Sequence, residues 1–388
     1  MHVVIAPDSY AGTLTATQAA GAMAAGWAHA APHCVLTQVP LSDGGPGFLG
    51  VLERGLDGQM LATTVRDPLG REVPAGVLVI EEERGRTAYV EAAQAVGLHL
   101  LGASERDPVV TTSYGVGQLL RAARDAGATR IVVGLGGGAT NDGGAGMLAA
   151  LGAGSPDDLA RGGAALADLG PGGLAGLDRV IADWNNIELI AATDADTPLL
   201  GMQGTSAVFG PQLGATAQQA QDLDRALGHF VDRLAGHLPR RTDLVSGTPV
   251  RLDKQPGSGA GGGLGYGLLV LGAQLRPGVD LVLAALDLAT LVAAADLVVT
   301  ATGTFDWQSL RGSVVSGIAQ LAQAAATPAV VIAGVVLVGR RETMAVGLSG
   351  SYAVAETPAQ QEAAHADPVG TLTARAERVA RTWSPPPR

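Results

Sequence analysis

The stretch Gly134 to Met147, GLGGGATNDGGAGM, follows the β-branched run Ile131-Val132-Val133 and leads into the helix-forming LAALGA. Glycines at a strand-to-helix turn let main-chain N–H groups come close to a ligand, and the chemistry such amides serve is the holding of a phosphate or carboxylate. Thr140, Asn141 and Asp142 add short polar side chains that suit an oxygen-rich ligand. Gly134, Gly136, Gly137 and Gly138 are therefore candidate phosphate-binding positions, with Asn141 and Asp142 as candidate substrate contacts. A second run, PGSGAGGGLGYG from Pro256, precedes the apolar LLVLGAQL and adds Gly259, Gly261 and Gly262. A tight packing turn in the first run and a flexible hinge in the second are the plainer uses of the same glycines.

Acids gather where predicted strands give way to loops: Asp8-Ser9, Ser42-Asp43-Gly44-Gly45, Asp194-Ala195-Asp196, and Asp306 with Gln308 and Ser309. Open α/β sheets bind ligands at that edge. Any one of these acids reads most simply as a solvated turn carboxylate. Together they make the pattern of a cleft for a polar substrate and a magnesium-bound phosphate. Asp194 and Asp306 are the candidate catalytic acids, Asp194 and Asp196 the candidate magnesium ligands, and Asp8, Ser9, Asp43, Gln308 and Ser309 further substrate contacts.

Two nucleotide motifs fail. Gly134, Gly136 and Ala139 satisfy G-x-G-x-x-A, but no β-branched run precedes Asp157 in MLAALGAGSPDDLARGG, where a dinucleotide fold needs its second strand and acid. A phosphate loop needs lysine after its last glycine, and the chain has a single lysine, Lys254, followed by Gln255.

The elements that must position these residues alternate as in parallel α/β layers. HVVIAPDS runs into a turn, and Thr15 can cap the alanine-rich helix through Trp27. ADLVVTATG, the helix VVSGIAQLAQAAA and the strand PAVVIAGVV form a similar unit near the other end. Between them AGVLVIEE, RTAYVEAA, RIVVGL and IELIAATDAD supply the strands of a block large enough for its own core. The expected division is an end domain of residues 1–60 plus 256–388 and an inserted α/β domain of residues 61–255. At 388 residues and 47% hydrophobic the chain can bury two interiors. A net charge of −11 speaks against nucleic acid or an anionic membrane as partner, so positive charge at a small-molecule site has to be concentrated locally. The apolar stretch Leu281–Val299 is interrupted by Asp287 and Asp296, which argues against a membrane span. One cysteine, Cys34, excludes an internal disulfide, and no signal peptide is visible; a cytoplasmic protein is the expectation.

The order of motifs resembles the bacterial glycerate kinase family over nearly the whole chain. The resemblance is carried by IAPDSYAGTL from Ile5, PLSDGGPG from Pro40, the long block from Thr111 to Leu148, DADTPLLG from Asp194, AVFGPQLGA from Ala207, PGSGAGGGLGYG, and FDWQSLRG from Phe305. It implies phosphoryl transfer from magnesium-ATP to D-glycerate, position 2 being the favoured acceptor, with a small hydroxy acid as partner and a homo-oligomeric state left open. It also implies a flavodoxin-like end domain and an inserted domain of another α/β topology, with the ligand cleft between them. Six positions depart from the family pattern by losing charge: Ala11, Leu213 and Ser313 where it has lysine, Pro46 and Thr302 where it has glutamate, and Thr304 where it has arginine. Phosphoryl transfer depends on positioning and charge neutralisation. Three readings follow: a kinase in which residues such as Arg311 supply the charge, a relative that binds without catalysing, and a kinase for another hydroxy acid.

Overall fold

Eleven short strands carry the architecture of a computed structural model that describes residues 1–386 except 11, 84, 240–241, 243–246 and 248–249. They are β1 (His2–Pro7), β2 (Val35–Gln38), β3 (Gln59–Arg66), β4 (Glu72–Glu82), β5 (Gly85–Glu91), β6 (Ala128–Gly134), β7 (Glu188–Ala192), β8 (Gln274–Arg276), β9 (Leu297–Phe305), β10 (Ala329–Val336) and β11 (Gly350–Ala353). The chain forms two compact units. One comprises Met1–Asp43, Gly50–Leu56 and Pro277–Arg388; the other comprises Gly44–Leu49 and Asp57–Arg276. Residues 256–276, which the sequence reading placed in the end domain, thus lie in the second unit. Their helix and β8 add to its sheet, since β8 pairs with β7 through Ile190, Ala191 and Ala192.

In the first unit the sheet order is β2-β1-β9-β10-β11 with every pair parallel. Counted within the unit this is the 2-1-3-4-5 order of flavodoxin-like folds, and its topological switch point lies between β1 and β9. Both faces are covered, which is why strands such as HVVIAP read as continuous apolar runs. On one face Val3, Ile5, Leu297, Val299, Val330 and Ile332 pack against the helices Ala16–Ala30 and Pro368–Trp383. The first of these helices starts where expected, with Thr15 and Gln18 forming a reciprocal cap. The two helices touch closely: a Cβ on Gly26 would stand 2.2 Å from the Thr373 carbonyl oxygen.

The second unit has the order β3-β4-β5-β6-β7-β8, antiparallel from β3 to β5 and parallel from β5 to β8. Its core joins the strands to the helices Tyr114–Asp125 and Ala217–Leu234 through Val90, Ile131, Val133, Leu119, Leu227 and Phe230. The two glycine-rich runs meet here, backbone to backbone. Gly261, Gly262 and Gly263 hold φ of 60°, 70° and 89°, and the Gly143 amide donates to the Gly262 carbonyl at 3.0 Å. A Cβ on Gly262 would stand 1.6 Å from the Thr140 carbonyl oxygen, and one on Gly263 2.7 Å from Gly143 Cα. Residues 257–267 therefore pack as a rigid wedge, and the hinge reading does not apply to them. No helix of the described residues is long and apolar enough to cross a membrane.

Gly262→Ala combines a left-handed backbone with a steric block by main chain. It is expected to lower unfolding free energy in urea by about 3 kcal/mol or more. Gly228→Ala, within the helix Ala217–Leu234 and with open space around it, serves as the control and gains roughly 0.5–1 kcal/mol.

Candidate functional site

At the switch point of the first unit Asp8 directly follows β1. The Asp8 amide donates to the Ala301 carbonyl at 2.9 Å, which carries the pairing with β9 one residue past Pro7. On the other side the chain leaving β2 stays alongside β1, because Val39 N–H donates to Ile5 O and Leu41 N–H to Pro7 O, each at 2.9 Å. That continuation brings Asp43 to Asp8. Burial together with the Asp43 charge pushes the Asp8 carboxyl up to about 7, although the Ser9 amide donates to its Oδ1 at 2.6 Å. Two acids far apart in sequence thus share one strand edge, and one is poised to exchange a proton near neutrality.

At the end of β9, Asp306 closes a turn: its Oδ1 accepts from Gln308 N, Ser309 N and Ser309 Oγ at 3.0–3.1 Å. Thr304 O, at 2.9 Å, is the alternative acceptor for the one Ser309 Oγ proton, and Ser313 Oγ donates to Ser309 O at 2.6 Å. Ser313 then caps the helix Val314–Ala324 by accepting from Ser316 N. Gln308 and Trp307 are exposed beside this turn.

In the second unit the carboxyl ends of β5, β6 and β7 lie side by side. Gly44 and Gly45 run across the end of β6, with Gly136 N–H donating to Gly44 O at 3.2 Å. A Cβ on Gly134 would meet Gly44 O at 2.6 Å, one on Gly136 would meet Gly45 Cα at 2.5 Å, and one on Gly137 would meet Pro46 Cγ at 2.6 Å. These glycines are required by a passing chain. The amides of Leu135, Gly136, Ala139 and Gly143 donate to carbonyls of the unit itself, so an anion nest built from those four amides is not what the turn presents. Below it Glu91, whose carboxyl burial raises, accepts from Gly47 N and Leu49 N at 3.0 Å and pins the start of the helix Phe48–Gly55.

Asp142 is fully buried, and its carboxylate accepts from Ser113 N, Ser113 Oγ, Gly144 N and Gly146 N at 2.8–3.2 Å. Burial raises its pKa against the opposing pull of these bonds. It braces the starts of the helices Tyr114–Asp125 and Ala145–Leu151, so its carboxylate is engaged within the protein rather than presented to a ligand. Asn141 is buried as well, with Nδ2 donating to Ser206 Oγ at 2.8 Å. Asp194 follows β7 in a turn held by the Ala195 amide on Thr193 Oγ1, and Asp196 is exposed two residues on. Among the described residues no three His, Cys, Asp or Glu side chains come together as a metal cage. Gly259 donates to Thr197 O, which ties the second glycine run to the same turn.

The structure therefore brings Asp8, Ser9 and Asp43 to one edge, and Asn141, Asp142, Asp194 and both glycine runs to the carboxyl end of the other sheet. Reading the sequence missed Glu91, Thr205 and Ser206. Glu91 looked like an ordinary strand residue in RTAYVE, and the pair Thr205-Ser206 has no motif around it; the only signal was polar residues in segments that had to be buried. Of the charge-losing positions, Ala11 lies outside the described residues. Leu213 is buried, Pro46 packs on Gly137, and Ser313 is a helix cap, so these three have structural occupations of their own.

Comparison with known proteins now defines the class. The model of the glycerate kinase family matches residues 3–384, and the chain belongs to that family of enzymes. A Bacillus subtilis protein named glycerate kinase is 40% identical over 339 residues, 86% of this chain and 85% of its own. An Escherichia coli protein named glycerate 2-kinase is 38% identical over 339 residues, covering 86% of this chain and 85% of its own. A crystal structure from Salmonella typhimurium LT2 matches with a TM-score of 0.76 at 36% identity, over 98% of both chains. The reading as a binding relative without catalysis finds no support among these proteins.

Ser313→Lys, which would restore the family's charge, removes the cap of Val314–Ala324. It is expected to cost about 1 kcal/mol in urea unfolding, as Ser313→Ala does; a lysine variant as stable as the parent would show that the cap is dispensable.

Proposed function

We propose that the protein transfers the γ-phosphoryl group of ATP to a hydroxyl of D-glycerate, with position 2 as the favoured acceptor, and that Asp8 is the base of the reaction. The observation that carries the reading is the Asp8 carboxyl at the switch-point edge, raised to about 7 beside Asp43. A general base works best with a pKa near the operating pH, and ordinary turn carboxylates titrate near 4. The acceptor oxygen bonds to the γ-phosphorus as the bond from that phosphorus to the bridging oxygen breaks. The hydroxyl proton passes to Asp8, and ADP leaves.

Asp43 raises the basicity of Asp8 by its charge, and Ser9 orients it through the short amide bond. Asp306 we assign to positioning, because it holds the turn that presents Gln308 and Ser309. Magnesium, arriving with the nucleotide, would be held by Asp194 and Asp196. Such an ion takes one or two carboxylates and completes its shell with water and phosphate. When bound it offsets the negative charge of the transferred group. Names of relatives as glycerate kinase and glycerate 2-kinase support the substrate and the position.

The test is ADP formation dependent on D-glycerate, followed from pH 5.5 to 9. kcat/KM is expected to rise with pH through about 7 as Asp8 ionises, and Asp8→Asn to lose about 10²–10⁴-fold together with that limb. Stability runs the other way. A carboxyl whose folded pKa lies above its unfolded 3.8 binds more protons when folded, so its contribution declines as pH rises from about 4 to about 7. Asp8→Asn should therefore melt at or above the parent temperature at pH 8. A parent profile flat across pH 5.5–8 would sink the assignment of Asp8 as base.

A further inference from the structure

We infer that Thr140, Asn141 and Thr205 form a pocket that reads the substrate hydroxyl left unphosphorylated. The inference rests on the D-glycerate reading above and adds its specificity determinant. Thr140 and Thr205 are 0% exposed and Asn141 is 1% exposed. Thr140 Oγ1, Asn141 Oδ1 and Thr205 Oγ1 have no hydrogen-bond partner among the described residues. The Asn141–Ser206 bond links the two segments that carry them, with Nδ2 turned to Ser206 and Oδ1 turned away from it.

The surrounding backbone leaves these side chains little freedom to find partners of their own. The Thr140 carbonyl is pressed against left-handed Gly262, a Cβ on Gly163 would stand 2.2 Å from the Asn141 carbonyl oxygen, and Thr205 N–H donates to Pro198 O and Leu199 O. Buried oxygens held in this way are costly until something pairs with them. One amide acceptor and two hydroxyls that donate or accept, with no charged group in the set, suit a neutral hydroxyl. Such a group donates to Asn141 Oδ1 and accepts from a threonine. A carboxylate or phosphate would face the Asn141 oxygen with like partial charge, and magnesium prefers carboxylates. A site that pairs its buried polar atoms with a substrate hydroxyl rejects the analogue lacking it, since those atoms are then left unpaired. Ordered water pairs with the same atoms, and it is the competing occupant.

Steady-state kinetics of the full chain with D-glycerate, D-lactate and ATP decide between them. D-lactate keeps the position-2 hydroxyl and lacks the other. Thr205→Val removes one hydroxyl at nearly constant volume. It is expected to keep or raise the melting temperature, to raise KM for D-glycerate about tenfold with KM for ATP unchanged, and to shrink the preference for D-glycerate over D-lactate. Thr140→Val should behave alike, and Asn141→Ala should show the same loss of preference. If D-glycerate is turned over but both valine variants keep the parent's KM and preference, the pocket holds water and the inference fails alone. No turnover of D-glycerate by the parent overturns the inference together with the reaction on which it rests.

Discussion

The second unit depends on main chain lying directly against main chain. Gly134 and Gly136 have the backbone of Gly44 and Gly45 within Cβ distance, and Gly262, Gly263 and Gly267 have the backbone of residues 140–144 in the same relation. No side chain fits at those contacts. Everything placed on the loops inherits their rigidity, because Gly143 N–H bonded to Gly262 O locks the turn that carries Thr140, Asn141 and Asp142. Asp142 completes the lock by joining two helix starts through one buried carboxylate. The polar groups of this region are therefore held by the scaffold before any ligand arrives, which is the condition for precise positioning.

The first unit solves a different problem, that of keeping a carboxylate reactive. Asp8 owes its raised pKa to a strand order that reverses between β1 and β9, and to a connection that hugs β1 for several residues after β2. An isolated turn aspartate would be ionised and inert at neutral pH. Placing Asp43 next to it and burying the Asp8 carboxyl costs stability, and the same arrangement supplies a group able to take up a proton. Such local strain between stability and use is common where chemistry is done.

Much of this was legible in the sequence. The β-branched runs HVVIAP, LVVTATGTF and AVVIAGVV are strands of one parallel sheet, and Thr15 caps its helix as its position indicates. Short or edge strands were less visible: β2 is four half-exposed residues, β8 is three, and β3 alternates without a clear apolar face. The roles of the glycines were not legible, because a glycine that cradles a ligand and one that admits another backbone look alike until the second backbone is placed. Likewise Asp142 looked like a ligand contact; only the fold shows that Ser113 and Gly146 claim it.

Because packing alone requires the glycines at 134, 136, 262 and 263, selection for folding would preserve them in a descendant whose chemistry had decayed. The most recognisable stretch of the chain is thus a marker of ancestry and architecture. In sorting genomes, the informative letters for whether a copy still works would be the inconspicuous ones, such as the aspartate at 8, whose raised pKa the fold does not need.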